Sequence, residues 1–349
     1  MEKLVEKRYE GLDQGKGLRY GIIEVTSSCQ CRCPGCYMVT RHSLGKAELS
    51  LKQAVQVLDL CRSYLGRELE SMDILGGEPL LWPWLKDYIT ILLRRGISPW
   101  VFTNMLAITP EMAKWLRERE VYVTGKLNVS PDNGSLLPLQ ARMIGKSPRL
   151  AKKMFQAITV FTAAGYQEPL FRLQNLIRRE NIDFVPEYYR WCLKNKIGTD
   201  LELMGSGEKI GPDYWRIAPR PPEIAAMIAK IQAVRQEFGL AAAEVLMPHV
   251  FGSCPFFDKG LYFAVDDSIR ACSNSSVLLA RVTDNDPIQK ACGSELICNR
   301  LGLSQKKVGQ PCRDCLKWEK CRGGCRATAE GSGDYQSAYP LCPLPYLAD

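Results

Sequence analysis

Between residue 18 and about 207 this chain alternates strictly between short apolar runs and amphipathic ones, and that pattern limits its fold more than any other feature. "RYGIIEV" reads as a first strand. "SLKQAVQVLDLCRSYL" then reads as a helix, with Ser50 at the N-cap and Gln53 three residues on, the capping-box arrangement. "SMDIL" is a strand, "WPWLKDYITILLRRG" a helix closed by Gly96, and "SPWVFT" a strand. "TPEMAKWLRERE" is a helix capped by Thr109 with Pro110 in its first turn. "VYVTGKLNVS", "SPRLAKKMFQAITVFTAAG", "LFRLQNLI", "DFVPEYYRWCLKNKIG" and "DLELMG" continue the alternation to a sixth strand. Strands separated by helices lie parallel, joined by right-handed crossovers. Six units are too few for an eight-unit barrel, so the pattern allows a partial or open barrel or a doubly wound sheet.

A proline-rich break, "APRPPE" at 218–223, leads into an amphipathic helix reaching about Leu246. Beyond it long helices vanish, and Gly, Pro and Cys punctuate the chain. Nine of the fifteen cysteines lie there. A second, cysteine-dense domain organised by bound metal is expected.

Disulfides suit small secreted domains. This chain opens on a charged segment without an apolar signal region and has no apolar run of membrane-spanning length, so a cytoplasmic protein is expected. Clustered cysteines in such a chain read as metal ligands. With only His42 and His249 available, mixed Cys/His zinc sites are disfavoured and iron–sulfur chemistry leads. The formal charge of +8 comes without any long basic run. It reads as solvated surface plus compensation for anionic thiolate clusters, not as a nucleic-acid face.

Four cysteines fall in "VTSSCQCRCPGCYM" directly after the first strand. Cys29, Cys33 and Cys36 have the spacing C-x3-C-x2-C, leaving Cys31 as a bystander. This spacing resembles the signature of the radical S-adenosylmethionine (radical SAM) enzymes. Three thiolates hold three irons of a [4Fe-4S] cluster and leave the fourth open, and in that family SAM chelates the open iron. Here Gly35, not an aromatic, precedes the third cysteine, and Tyr37 lies one position late as a candidate adenine contact. "ILGGEPL" at the end of the second strand matches the family's GGEP motif. The resemblance implies that Gly76, Gly77, Glu78 and Pro79 receive the SAM amino group. "LNVSPDN" and "ARMIGK" resemble the segments that bind the SAM carboxylate, which implies that role for Ser130 and Arg142. "FTNM" resembles the third-strand TNG turn, through Thr103 and Asn104, but lacks its glycine.

Cys312-x2-Cys315-x5-Cys321-x3-Cys325, followed by Cys342 and preceded by Cys254 and Cys272, resembles the SPASM domain of peptide- and protein-modifying radical SAM enzymes. The family holds two auxiliary iron–sulfur clusters there, which implies [4Fe-4S] groups. By this resemblance Cys312, Cys315, Cys321 and Cys342 ligate one; Cys254, Cys272 and Cys325 contribute to the other, whose fourth ligand is open among Cys292, Cys298, Asp258, His249 and an unfilled iron. Structural zinc is the competing reading of these cysteines. Cys61 and Cys192 read as small buried groups, and Trp82, Trp84, Trp191 and Trp215 as packing residues.

The resemblance covers residues 18–349. It implies an α/β fold, a partial (β/α)6 TIM-like barrel followed by a small cysteine-rich α+β SPASM domain. The parts are a 1–17 extension, an 18–215 barrel, a 216–248 helical linker and a 249–349 SPASM domain. The implied activity is reductive cleavage of SAM to a 5′-deoxyadenosyl radical and oxidation of a peptide or protein side chain by crosslinking, dehydrogenation or decarboxylation. The alternatives are the same chemistry on a tetrapyrrole or nucleoside, and a non-catalytic electron carrier. A flavodoxin- or ferredoxin-type electron donor is implied. With some 17 residues ahead of the first strand, a separate peptide-recognition protein is expected unless the substrate is small.

Overall fold

The computed structural model describes residues 17–36, 47–206, 212–242 and 259–347. Local signals set its elements. Helix α1 (Leu51–Leu65) starts where the Ser50 hydroxyl accepts from the Gln53 N–H and the Gln53 side chain returns the bond; it stops at Gly66, whose φ of 69° continues no helix. Helix α3 (Pro110–Glu118) starts at Thr109, whose hydroxyl accepts from Met112 N–H. Strand β1 (Tyr20–Glu24) precedes α1, and β2 (Ser71–Leu75), α2 (Leu85–Arg94) and β3 (Ser98–Thr103) stand between α1 and α3. The chain continues through β4 (Tyr122–Lys126), α4 (Leu137–Met143), α5 (Pro148–Ala163), β5 (Phe171–Ile177), α6 (Val185–Lys194) and β6 (Gly198–Leu203).

All six strands pair in parallel in the order β6-β5-β4-β3-β2-β1. The register sets Glu24 opposite Leu75, Phe102 opposite Thr124 and Lys126 opposite Gln174. One face packs on the helices: Ile23 and Val25 join Ala54, Leu58, Ile89 and Phe161 in the main core. Ile22 and Tyr262, with Ala264 and Leu75, form a separate cluster. Burial on both faces explains why these strands are short apolar runs. The same strands nevertheless carry buried Glu24, Asp73, Thr124 and Arg172. Arg172 is satisfied by Asp200 at 2.8 Å and Glu168 at 3.3 Å.

After α7 (Pro212–Ile217) and α8 (Pro221–Glu237), strand β7 (Gly260–Phe263) returns to the same sheet and pairs in parallel with β1. β8 (Ser268–Arg270) and β9 (Ala280–Arg281) extend it antiparallel, giving nine strands. Short helices follow: α9 (Pro287–Cys292), α10 (Glu295–Leu301), α11 (Trp318–Cys321) and α12 (Arg326–Ser332). Cys61 and Cys192 are fully buried in the core, and burial pushes both thiols up. Trp82 and Trp191 are buried with their indole N–H groups donating to Leu49 O and Asp132 Oδ1. Trp84 and Trp215 are instead exposed, so packing does not account for them.

Candidate active site

The first cysteine loop leaves the C-terminal end of β1 and is pinned from three sides. Gly77 N–H donates to Thr26 O at 2.6 Å and Glu78 N–H to Ser28 O at 2.8 Å, so the GGEP turn rides on the backbone leading to Cys29. A Cβ on Gly77 would stand 2.6 Å from Ser28 C and 2.8 Å from Ser27 C, and one on Gly76 2.5 Å from Thr26 O. Only glycine permits that approach, and Gly76 also has φ +151°. From the second side Arg32 N–H donates to Ile144 O at 3.0 Å, at the end of α4. From the third, the Arg178 guanidinium donates to Pro34 O between Cys33 and Cys36.

Glu78 is fully buried and is the hub of the turn. One oxygen accepts from Thr103 Oγ1 at 2.6 Å and Leu80 N–H at 3.0 Å, the other from Asn104 N–H at 2.6 Å. Burial raises its carboxyl to about 7 despite these bonds. Asn104 extends the link: its Nδ2 donates to Gln30 Oε1 at 3.0 Å and reaches Cys29 Sγ at 3.5 Å. Thr103 and Asn104 thus couple Glu78 to the first cysteine without the glycine of the TNG pattern.

Cys31 packs with Ala141, Ile144, Ala151 and Met154. Its thiol donates toward Cys29 and Cys33, which raises its own pKa. The Cys29 thiol falls to about 6, first through that bond and then through Cys31 N–H, Asn104 and the Arg32 charge, against burial. Cys33 is lowered first by Cys31, then by the Lys126 and Arg178 charges, again against burial. Electropositive, hydrogen-bonded surroundings of this kind favour the thiolate that binds iron.

Ser130 is 1% exposed and its hydroxyl has no partner. A buried hydroxyl left unmet costs about 1–3 kcal/mol, so a polar guest placed within reach of Ser130 would be favoured. Arg142 is not brought to the loop: its side chain is 65% exposed and lies 3.8 Å from Glu180. Tyr37 and Cys254 lie outside the described residues, as do His249 and Asp258.

In the C-terminal region Cys315 N–H donates to Cys312 O, and Cys342 N–H to Tyr339 O. Cys321 is pushed up to about 11 first by burial, relieved by N–H donors of Gly323 and Gly324 and raised further by Cys312 and Cys315. Cys342 is pushed up to about 12 by burial, with Cys312, Cys321 and Cys315 adding to it. The fold therefore brings these four thiols within each other's electrostatic reach. Cys272 and Cys325 both face Arg300, which is bonded to Glu330 at 2.5 and 2.7 Å. Cys292 faces Tyr64 of α1, and Cys298 is exposed. None of the described cysteines is disulfide-bonded, and among the described residues no three Cys, His or carboxylate groups converge on a single-ion position. Soft donors in sets of three and four, a glycine cradle and an orphaned hydroxyl fit iron–sulfur clusters and a SAM-like guest.

Sequence reasoning missed Lys126, Gln174 and Arg178, and a buried amide network beside them. Asn175 and Asn181 side chains donate to Asn128 O at 3.0 and 3.1 Å, Asn128 N–H to Gln140 Oε1 at 3.0 Å, and Arg178 N–H to Asn181 Oδ1 at 2.7 Å. This network ties the exit of β4 to β5 and α4. The one available signal was polar residues inside otherwise apolar strands.

The family described as a 4Fe-4S single cluster domain matches residues 13–136. GTP 3′,8-cyclase of Bradyrhizobium diazoefficiens is 28% identical over 202 residues, 56% of this chain and 55% of that protein. PqqA peptide cyclase of Streptomyces rochei is 24% identical over 339 residues, 93% of this chain and 88% of that protein. The chain spans about half the length of the first curated relatives it matches. Among solved structures, anSMEcpe with bound AdoMet and Cp18Cys peptide superposes with a TM-score of 0.70 at 14% identity, covering 95% of this chain and 94% of that one. Streptococcus suis SuiB bound to precursor peptide SuiA gives 0.68 at 13% identity, covering 97% and 79%. These matches bear out the resemblance to radical SAM enzymes with a SPASM domain, and the fold is theirs.

Proposed function

We propose that this chain is a radical SAM enzyme that oxidatively modifies a peptide or protein side chain. The observation that carries the reading is the interlock of the GGEP turn with the cysteine loop: Glu78, Thr103 and Asn104 lead from the SAM-amine position to Cys29 through bonds of 2.6, 2.6 and 3.5 Å. When bound, the cluster supplies the electron that cleaves SAM to methionine and a 5′-deoxyadenosyl radical, which takes a hydrogen atom from the substrate.

The chain's own residues do the rest. Cys29, Cys33 and Cys36 hold three irons. Glu78, with the backbone of Gly76, Gly77 and Pro79, receives the SAM ammonium, and Ser130 gives its free hydroxyl to the carboxylate. Arg142 reaches the same carboxylate once it leaves Glu180. Cys312, Cys315, Cys321 and Cys342 hold one auxiliary cluster; Cys272 and Cys325, with Cys254, hold part of another. When bound, these clusters would take up the electron left on the substrate radical after the hydrogen atom is removed. A flavodoxin- or ferredoxin-type protein would supply the separate electron that reduces the SAM-binding cluster, and a separate recognition protein would present the peptide. Among the described residues no helix is long and apolar enough to cross a membrane, in keeping with a cytoplasmic site of action.

The peptide reading is preferred because the peptide cyclase matches along 93% of the chain. The nucleotide cyclase, which favours a small-molecule substrate, matches 56%. The test is 5′-deoxyadenosine formation by anaerobically reconstituted protein with SAM and dithionite, beside a variant with Cys29, Cys33 and Cys36 all changed to Ala. Product from the first alone is expected. No product from iron-loaded protein would move the electron-carrier reading to the front.

A further inference from the structure

We propose that Lys126 and Arg178 form a pair of positive charges beneath the Cys33–Cys36 segment that raises the reduction potential of the cluster held there. The proposal rests on the reading of Cys29, Cys33 and Cys36 as cluster ligands. Lys126 ends β4, and the strand register places it opposite Gln174 of β5, whose Oε1 accepts from Nζ at 3.0 Å. That bond fixes a flexible ammonium at the end of the barrel where the cysteine loop lies. Arg178 follows β5 directly and is 2% exposed. It donates to Pro34 O, lies 3.5 Å from Glu180 Oε1, and leaves its Nε without a partner.

The groups facing Lys126 are Glu202 of β6, Cys33, Cys36 and Arg178. Two cations thus share this end of the barrel with Glu202 and Glu180, and Glu180 is also approached by Arg142. Burying cations beside one another is unfavourable unless an anion compensates them. An anionic thiolate-ligated cluster compensates them, and one-electron reduction makes it more negative still, so nearby positive charge favours the reduced state. Neither side chain handles SAM or substrate. They act through the cluster, as positioning charges.

The test is a potentiometric titration of anaerobically reconstituted full-length protein with dithionite and mediators, followed by electron paramagnetic resonance. The cluster to follow is the one whose signal changes when SAM is added. At the wild-type midpoint, K126Q and R178Q are expected to show at least a tenfold lower ratio of reduced to oxidised cluster, a downward shift of 59 mV for one electron. K126R, which keeps the charge, is expected to stay within threefold of wild type. An unchanged midpoint in both neutral variants at wild-type iron content overturns the proposal. If the neutral variants lose the SAM-responsive cluster, K126R and R178K decide: retention supports a requirement for charge, and loss shows that shape alone matters. A wild-type protein without any SAM-responsive cluster would defeat the reading of the cysteines instead.

Discussion

Replacing Gly77 by Ala tests the interlock most directly. The added methyl would lie 2.6 Å from Ser28 C and 2.8 Å from Ser27 C, and both neighbours are backbone, so no side chain can rotate away. The turn and the β1 exit must separate by several tenths of an ångström. Overpacking of this kind costs about 1–3 kcal/mol. Weakening the bonds from Gly77 N–H and Glu78 N–H adds about 1 kcal/mol more. The sum of about 2–4 kcal/mol corresponds to a fall in Tm of about 4–8 °C at roughly 2 °C per kcal/mol. The chemistry should suffer more than the fold, because the displaced strand carries Cys29 and misplacement by about 1 Å can lower a rate about 100-fold. The assay is 5′-deoxyadenosine formation with iron content and melting measured on the same preparation. Gly134→Ala is the control, since a Cβ there meets nothing within 4 Å. A G77A protein that cleaves SAM within threefold of wild type would refute the argument from close approach.

Glu78 titrates near 7 because it is buried; its raised pKa favours the protonated form on folding, so its contribution to stability is full below the unfolded value of about 4.3 and is lost as pH rises through about 7. SAM should re-ionise it, with release of its proton, so SAM affinity, measured by calorimetry, should weaken by up to about tenfold for each pH unit below 7, and E78Q should be flat over that range. Ser130→Ala should leave the melting temperature of the SAM-free protein unchanged or higher, since its hydroxyl is unmet, while weakening SAM binding by about 5–30-fold, the equivalent of roughly 1–2 kcal/mol. Changing Cys312 and Cys315 to Ala should remove one auxiliary cluster, read as lost iron, with the SAM-responsive signal retained; zinc tracking those thiols would show a structural site instead.

The barrel strands were legible because parallel strands covered on both faces are written as apolar runs, and the helix starts because Ser50 and Thr109 act within three residues of themselves. Helix α4 was not legible as a helix: it follows directly on a short turn at Gly134–Leu136 and has no side-chain cap. The Glu78 hub was half visible, as a motif, but its raised pKa comes from full burial in the fold, and the Thr103 and Asn104 donors that partly offset that burial arrive from another strand. Arg142 resembles a ligand in sequence, yet in the fold it is turned to Glu180. Lys126 stood unremarked inside "VYVTGKLNVS", and only the register with Gln174 reveals what it faces.

β1 has a paired neighbour on each side, β2 and β7, and Arg19 N–H and Tyr20 N–H both donate to Lys259 O at 2.7 and 2.9 Å. The strand that carries the first cysteine loop is therefore completed by residues some 240 positions later. Cutting the chain between the barrel and the cysteine-rich region does not release two finished modules. It leaves the N-terminal piece with a bare strand edge of unpaired amides and carbonyls beside Ile22 and Tyr20, the kind of edge that recruits other chains. Expressed alone, that piece is a candidate for edge-to-edge self-association, and its behaviour would report on the missing strand and not on the chemistry of its cysteines.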